Sequence, residues 1–271
     1  MSTDAVREYY AAFGMREWQR LETAEGIVEF AVNTHFLDRF LPTTGRVLDL
    51  GGGPGRYAEW LAKRGLRVVL ADASPELLEI ARSRIASPLV EEIATADARD
   101  LSRWDNASFD AALLLGPLYH MPDEDDRRAA VREAVRVVRP GGTLFFALIP
   151  WYGFVRRTIM TVDECRHLVD SAFVDQLTAA GTFLNDVPGR FTHGWGARPE
   201  EVPSWFESQG LATITLVASE GLASGIEEAL IELRTTNPAA FTAAMRIITE
   251  TATDPSLLGG SKHLLYIATR T

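Results

Sequence analysis

The sequence predicts an α/β fold with a doubly wound, mainly parallel sheet that helices cover on both faces. From Arg46 to Ile149, segments typical of strands alternate with segments typical of helices. This order is characteristic of parallel strands joined by right-handed crossovers. One predicted strand also contains the continuous apolar run Val68–Leu70, which is expected of a strand buried on both faces.

The individual elements follow from apolar periodicity and from turn residues. Seven strands are predicted: Arg46–Leu50, Arg67–Asp72, Glu92–Ala96, Phe109–Leu115, Thr143–Ile149, Leu211–Val217 and His263–Thr269. The last two are expected to form an antiparallel pair at the edge of the sheet. Helices are predicted over 4–41, after the glycines at 51–55, after Ser74, after Asp123, over Val162–Ala180, over Glu200–Gly210 and over 222–250. Pro140–Gly142 is predicted to form a turn.

One domain is predicted over the 271 residues. Its expected parts are an N-terminal helical lid (1–44), a ligand-binding core (45–150), two substrate-side insertions (151–202 and 222–256), and the segments that complete the core (203–221 and 257–271).

Composition narrows the class of protein. A formal net charge of −10 disfavours a nucleic-acid partner, because phosphate binding needs clustered Lys and Arg. The single cysteine, Cys165, cannot form an internal disulfide, and no His and Cys spacing of zinc type is present, so no metal is predicted. No apolar run is long enough to cross a membrane, and no secretory signal is recognisable. We expect a cytoplasmic monomer or homodimer.

The segment from Arg46 to Ala62 indicates a ligand site. A strand, the sequence Gly51-Gly52-Gly53-Pro54-Gly55 and a helix follow one another directly. Such a turn lets backbone groups and a helix N-terminus approach a ligand closely. The dinucleotide pattern G-x-G-x-x-G would require a glycine where the chain has Arg56. Asp72, about twenty positions after Gly51, is placed to accept hydrogen bonds from ribose hydroxyls.

The spacing of Asp49, Gly51, Gly53 and Gly55 resembles the first motif of class I S-adenosylmethionine-dependent methyltransferases. Phe109–Pro122 and Val135–Ile149 are similar to later segments of that family, and the resemblance covers about 41–150. It implies a Rossmann-like methyltransferase fold with a seven-stranded sheet. It also implies S-adenosylmethionine as cofactor, with S-adenosylhomocysteine as product, and Asp97 as the acceptor of the adenine amino group.

The resemblance and the predicted strand ends together give the candidate residues. The expected cofactor-binding residues are Asp49, Gly51, Gly52, Gly53, Gly55, Asp72, Ala73, Asp97, Ala98, Leu115, Gly116, Tyr10 and Trp18. The expected substrate-binding residues are Tyr119, Trp151, Arg156 and His263. His120, just after the fourth strand, and His193, in an unusual Gly- and Trp-containing turn, are the candidate bases.

The expected reaction is in-line methyl transfer to an oxygen or nitrogen atom of a small molecule, a reaction in which positioning is the main task of the protein. Two alternatives stay open. One is an NAD(P)-dependent oxidoreductase, against which Arg56 counts. The other is a non-catalytic regulatory protein that binds S-adenosylmethionine. Residues 151–200 match no motif of the family, so the acceptor is not identified.

Overall fold

The structure is a computed structural model that describes residues 4–162, 164–184 and 193–271. Its strands are β1 Arg46–Leu50, β2 Arg67–Asp72, β3 Val90–Thr95, β4 Phe109–Leu114, β5 Val138–Pro150, β6 Thr182–Phe183, β7 Gly194–Ala197, β8 Leu211–Ala218 and β9 Leu264–Arg270. Its helices are α1 Asp4–Phe13, α2 Met15–Arg20, α3 Ala24–Phe40, α4 Arg56–Lys63, α5 Pro75–Arg84, α6 Glu124–Val137, α7 Gly153–Met160, α8 Ser171–Ala179, α9 Val202–Glu207, α10 Glu227–Thr236, α11 Pro238–Thr251 and α12 Pro255–Leu258. Short 3₁₀ helices lie at Pro117–His120, Cys165–Val169 and Gly221–Ala223.

The main sheet has the order β3-β2-β1-β4-β5-β9-β8. Neighbours from β3 to β5 are parallel, and β9 is antiparallel to both β5 and β8. The predicted α/β class and the antiparallel edge pair are therefore confirmed. The strand order reverses between β1 and β4, and ligands of open α/β sheets bind beyond the strand ends at such a point. The short β6–β7 hairpin extends the sheet from the last residues of β5.

The hydrophobic core forms a layer on each face of the sheet. Alternate strand residues point to opposite faces: Leu48 and Val69 belong to the layer that contains Val131 of α6, whereas Val47 and Val68 belong to the layer of α3 and α4. These strand residues are fully buried. Helices on both faces explain why the parallel strands are continuously apolar.

Three helices precede β1, and a glycine and a capping threonine separate them. Gly14 separates α1 from α2, and the Thr23 side chain accepts a hydrogen bond from the Gly26 backbone N–H at the start of α3. α1 packs against α5, and α3 packs against α10 and α11. Within the described ranges, no helix is both long and apolar enough to cross a membrane.

Three predicted elements differ from the structure. The segment predicted as a helix over Val162–Ala180 contains a 3₁₀ turn and then α8, because the Asp170 side chain caps a new helix at the Ala172 N–H. The predicted helix over 222–250 divides at Asn237, whose side chain caps α11 ahead of Pro238. The predicted turn at Pro140–Gly142 lies inside β5, where the pairing register with β4 shifts.

Candidate functional site

A cavity lies beyond the carboxyl ends of β1, β2 and β4, between them and the helices α1 and α2. Its empty space amounts to about 1250 Å³ when the open solvent at its mouth is included. Backbone and side chains of the glycine turn form one wall. Tyr10, Tyr119, His120 and His193 form part of the opposite lining.

The glycine turn is required by the backbone path and by close packing. Gly51 has φ +70°, a conformation that other residues seldom adopt. A Cβ atom there would lie 2.4 Å from the Pro117 side chain, so the turn and the segment after β4 approach each other too closely for any side chain. Gly55 is left-handed (φ +88°) at the N-cap of α4, and its Cβ would meet Ile85 at 2.4 Å.

Asp49, the fourth residue of β1, is a fully buried acid on the wall of the cavity. Neither carboxylate oxygen has a hydrogen-bond partner within the described residues. The Ala58 backbone N–H faces it outside normal hydrogen-bond geometry and lowers the pKa only in part. Burial, reinforced by the nearby Asp72, raises the pKa of Asp49 to about 7. A ligand that brings a cationic or N–H donor would satisfy this side chain.

Asp72 ends β2 and lies on the same wall. Its two oxygens accept hydrogen bonds from the backbone N–H groups of Gly53 and Ser74, each at 2.8 Å. Burial raises the pKa of Asp72 to about 6, and those amides oppose the rise. The Gly53 contact ties β2 to the glycine turn, so the acid and the turn face the cavity as one unit.

Asp97 follows β3 and is paired with Arg99. Arg99 donates to Asp97 through its backbone N (2.9 Å), its Nε (3.0 Å) and its Nη2 (2.6 Å). Nη1 of Arg99 donates to Asp126, in the first turn of α6, at 3.0 Å. All three residues line the cavity. The acidic start of α6 therefore reaches the cavity through one residue, a contact that helix-dipole reasoning from the sequence does not predict.

His120 is held between two groups. The Tyr10 hydroxyl lies 2.8 Å from its Nε2, and the His193 carbonyl oxygen lies 3.3 Å from its Nδ1. Because a carbonyl can only accept, we assign the proton of the neutral ring to Nδ1, so that Nε2 accepts from Tyr10. Burial lowers the pKa of His120 to about 4. The ring is consequently neutral at physiological pH.

Two charged residues of α2 also line the cavity, and sequence reasoning did not select them. Arg20 donates to Glu17 at 2.9 Å and to Glu29 of α3 at 2.6 Å. Glu17 lies beside Gly53 of the turn. A signal was present in the sequence, because opposite charges three residues apart share a helix face.

His263 lies behind the cavity wall, with its ring centre 6.3 Å from that of Tyr119. Its Nδ1 lies 2.8 Å from Oε1 of Glu220, a fully buried residue. Burial alone would lower the pKa of His263, but Glu220 and Glu29 outweigh it and raise the pKa to about 9. Glu25, Glu220 and His263 place ligand atoms within 4.8 Å of one another. The His263 imidazolium pairs with Glu220, and the Lys262 ammonium lies 2.5 Å from Glu25. The negative charges of this cluster are therefore already paired with cations of the chain.

Comparison with known proteins is consistent with this geometry. A family model described as a methyltransferase domain matches residues 48–146, which include the glycine turn, Asp72 and Asp97. Residues 48–146 of the chain therefore match a methyltransferase domain. The recognition made from the sequence motifs is thereby confirmed.

Two curated relatives match this chain over part of its length. Methyltransferase GfsG of Streptomyces halstedii is 40% identical over 137 residues, which are 49% of this chain and 46% of the relative. A ubiquinone biosynthesis O-methyltransferase of Xanthomonas oryzae pv. oryzae is 34% identical over 105 residues, 38% of this chain and 43% of that protein. The chain thus spans less than half of the length of these relatives.

Solved structures share the fold of this chain over most of its length. An S-adenosylmethionine-dependent methyltransferase from Methanosarcina mazei has a TM-score of 0.59 at 18% identity and covers 87% of this chain and 96% of its own. The 1,6-didemethyltoxoflavin-N1-methyltransferase of Burkholderia thailandensis, solved with 1,6-didemethyltoxoflavin and S-adenosylhomocysteine, has a TM-score of 0.56 at 15% identity. That match covers 99% of this chain and 88% of the other. At such identities the likeness shows the fold alone.

The cavity brings together most of the site residues predicted from the sequence. These are Tyr10, Asp49, Gly51, Gly52, Gly53, Asp72, Ala73, Asp97, Ala98, Leu115, Gly116, Tyr119, His120 and His193. Their joint presence at one edge follows from the parallel strands, whose carboxyl ends all meet there.

Other predicted residues lie outside the lining of this cavity. Gly55 packs against Leu70 and Ile85. Trp18 lies between the guanidinium groups of Arg56, at 4.9 Å, and Arg84, at 4.8 Å.

Two residues of the predicted substrate side are also engaged elsewhere. Trp151 donates its indole N–H to the Thr178 carbonyl. Arg156 donates to the carbonyls of Gly260 and Ser224. Of the predicted turn over 191–196, residues 191 and 192 lie outside the described residues.

Proposed function

We propose that the protein transfers a methyl group from S-adenosylmethionine to an oxygen or nitrogen atom of a small molecule. One observation carries the proposal. Asp49, Asp72 and Asp97, from three neighbouring strands, surround a glycine turn in a single cavity. Each of these carboxylates can accept hydrogen bonds from a nucleoside joined to an amino acid. Each lies beside the glycine turn or at the end of a strand.

The residues present fit this cofactor. Asp72 would accept from the ribose hydroxyls, and Asp97 beside Ala98 would accept from the adenine amino group. Asp49 supports the fit most directly, since its buried oxygens have no partner within the described residues and the amino group would supply one. Glu17 and Arg20 place a negative and a positive side chain near the glycine turn. Such a pair suits the ammonium and carboxylate groups of the amino-acid portion of the cofactor.

The chemistry divides between the cofactor and the chain. When bound, S-adenosylmethionine supplies a methyl group activated on a sulfonium, which an acceptor atom takes up by in-line displacement. Tyr10, Tyr119 and His193 would orient the acceptor and exclude water. His120 would accept the proton of an acceptor hydroxyl at Nε2, the position that the Tyr10 hydroxyl now contacts. The His193 carbonyl would keep the opposite ring nitrogen protonated.

A small molecule is the favoured acceptor. The net charge of −10 disfavours a polyanion. A relative that acts in ubiquinone biosynthesis and a structural neighbour that methylates 1,6-didemethyltoxoflavin point the same way. Tyr119 is the predicted substrate residue that lines the cavity, and His263 supports it from behind.

Calorimetry with S-adenosylhomocysteine tests the cofactor. We expect micromolar or tighter binding, and at least tenfold weaker binding in Asp72→Ala, because one lost charged hydrogen-bond acceptor is worth ~1.5–3 kcal/mol. Asp175→Ala, which removes an exposed acid on α8, is the matched control and should bind as the wild type. Absence of detectable binding to the wild type, or preference for NADH, would overturn the proposal.

A radiolabelled methyl donor and a panel of phenols and amines test the acceptor and the base. We expect His120→Ala to lower the rate with a phenol about 10²-fold or more, the usual scale of general base catalysis. An amine that is neutral at the assay pH needs no base, so its rate should change far less. Equal losses for both acceptors would contradict the assignment of His120 as a base.

A further inference from the structure

We propose that Arg99 and Asp126 are positioning residues that fix the Asp97 carboxylate to select a 6-amino purine over a 6-oxo purine. This inference rests on the proposed function, in which Asp97 faces the adenine of the cofactor. It assigns a role to Asp126, which the sequence indicates only as a helix-start acid. It concerns selectivity for the base, which methyl transfer itself does not require.

Orientation is the first argument. A single contact would leave the carboxylate free to rotate, but three donor atoms of Arg99 hold Asp97 from its own loop: backbone N, Nε and Nη2. The Nε and Nη2 contacts reach both oxygens and form a bidentate pair, the most directional contact that a guanidinium makes. Asp97 is therefore presented in one orientation at the cavity wall.

Anchoring is the second argument. Arg99 has a long side chain, and without a second anchor the loss of its rotamer freedom would weaken the ion pair with Asp97. Asp126 removes that freedom, because it accepts from Nη1 at 3.0 Å and belongs to the rigid first turn of α6. The hydrogen bonds to Asp97 and Asp126 also raise the pKa of Arg99, so the cation persists at every working pH.

Specificity within the acidic start of α6 is the third argument. Asp123 caps the helix by accepting from the Asp125 N–H, and Glu124 pairs with Arg128 and accepts from the Trp205 indole. Asp126 alone of this run lines the cavity. The helix-dipole role is thus filled by its neighbours.

Hydrogen-bond polarity supplies the discrimination. An ionised carboxylate carries no N–H or O–H group, so it can only accept hydrogen bonds. The Asp97 carboxylate, held in one orientation, therefore suits a donor and leaves an acceptor unmatched. The 6-amino group of adenine donates, whereas the 6-oxo group of hypoxanthine accepts, so the same carboxylate favours one and disfavours the other. A site built to hydrogen-bond one group rejects the analogue that lacks it.

Calorimetry with S-adenosylhomocysteine and with S-inosylhomocysteine, its 6-oxo counterpart, tests the inference. We expect the wild type to prefer the adenosyl compound by about 10- to 100-fold, from the penalty of an unmatched polar group. In Arg99→Ala the preference should fall to within about threefold of unity, mainly through weaker binding of the adenosyl compound. Asp126→Asn should lower the preference by about threefold, since it keeps the shape and removes the charge.

Arg103→Ala is the matched control. Arg103 is an exposed arginine in the same loop that pairs with Glu92 at 2.6 Å outside the cavity, so its removal should leave the preference unchanged. Thermal unfolding of each variant verifies that it folds, and Asp126→Asn keeps the test valid if Arg99→Ala does not.

The outcomes separate the two proposals. A wild type that binds neither compound contradicts the proposed function and the inference together. A wild type that binds S-adenosylhomocysteine, with variants that keep its preference, overturns the inference alone. A preference that rises in Arg99→Ala also overturns it, because Arg99 would then be a direct reader of the 6-oxo group.

Discussion

The hydroxyl of Tyr10 lies 2.8 Å from Nε2 of His120, and this contact joins α1 to the segment after β4. The two aromatic rings meet edge to face with their centres 5.3 Å apart. The first helix of the chain therefore closes over the ring that we assign as the base. An acceptor hydroxyl that approaches Nε2 must therefore replace the tyrosine hydroxyl at this nitrogen.

Tyr10→Phe tests this contact. The change keeps the ring and removes the hydroxyl that donates to Nε2 of His120, a loss that costs about 1–2 kcal/mol for a buried hydrogen bond. We expect the free energy of unfolding in urea to fall by that amount and the ¹⁵N resonance of Nε2 to shift. Tyr152→Phe, at a ring that is 56% exposed, should change stability by less than ~0.5 kcal/mol. Equal effects of the two changes would argue against the contact.

Cofactor binding should depend on pH through Asp49 and Asp72. Burial raises their pKa values to about 7 and about 6, and the donors of the cofactor prefer the ionised carboxylates. Affinity for S-adenosylhomocysteine should therefore rise as the pH increases from 5 to 8, at most tenfold per pH unit for each group. Asp72→Asn should remove the lower part of this dependence and Asp49→Asn the upper part. A wild-type affinity that is constant over this range would refute the assignment.

Gly51→Ala measures the close approach of the glycine turn to Pro117. The added Cβ meets Pro117 at 2.4 Å in a backbone with φ +70°. Gly65→Ala is its control, since Gly65 has φ +84° and open space around a Cβ. We expect Gly65→Ala to cost about 1 kcal/mol from the backbone alone and Gly51→Ala to cost at least about 1 kcal/mol more. Equal losses would mean that the turn and Pro117 separate without penalty.

Glu220→Gln tests the buried ion pair behind Tyr119. Glu220 is fully buried and accepts from Ser261, from two backbone N–H groups and from His263. Removing its charge takes away the carboxylate nearest to the His263 imidazolium and leaves Glu29, 4.0 Å away, as the more distant partner. We expect the free energy of unfolding to fall by up to ~3 kcal/mol. Glu228→Gln, at an exposed position of α10, should have little effect.

The same pair fixes the direction of a pH effect. The pKa of His263 is raised to about 9, above its unfolded value of about 6.5. Its contribution to stability is complete below pH 6.5 and is lost as the pH rises through 9. The difference in stability between wild type and Glu220→Gln should therefore shrink from pH 7 to pH 10. A difference that stays constant would contradict the charged state of His263.

The gathering of three acids at one cavity was predictable because its signals are local. Asp49, Asp72 and Asp97 each follow an apolar run, and the rule for parallel sheets places such residues together. The order of elements was predictable for the same reason. The helix ends in the insertions were harder to predict. The apolar periodicity continues across Asp170 and Asn237, so it does not indicate that new helices begin at these caps.

Contacts that join distant segments could not be obtained from the sequence. Arg99 meets Asp126 across 27 positions, and Tyr10 meets His120 across 110. Trp151 and Arg156 follow β5, as expected of substrate-side residues, yet their donors are used by backbone carbonyls. Which partner a side chain finds is decided by tertiary packing, and spacing along the chain does not encode it.

Trp18 sits between Arg56 and Arg84, at the helices that follow β1 and β2. Its indole therefore contacts two cations at the border between α2 and the helices that follow β1 and β2. A displacement of α2 would change the electric field and the solvent around this ring. We expect Trp18 emission, isolated by subtraction of the Trp18→Phe spectrum, to report such a displacement without a dye.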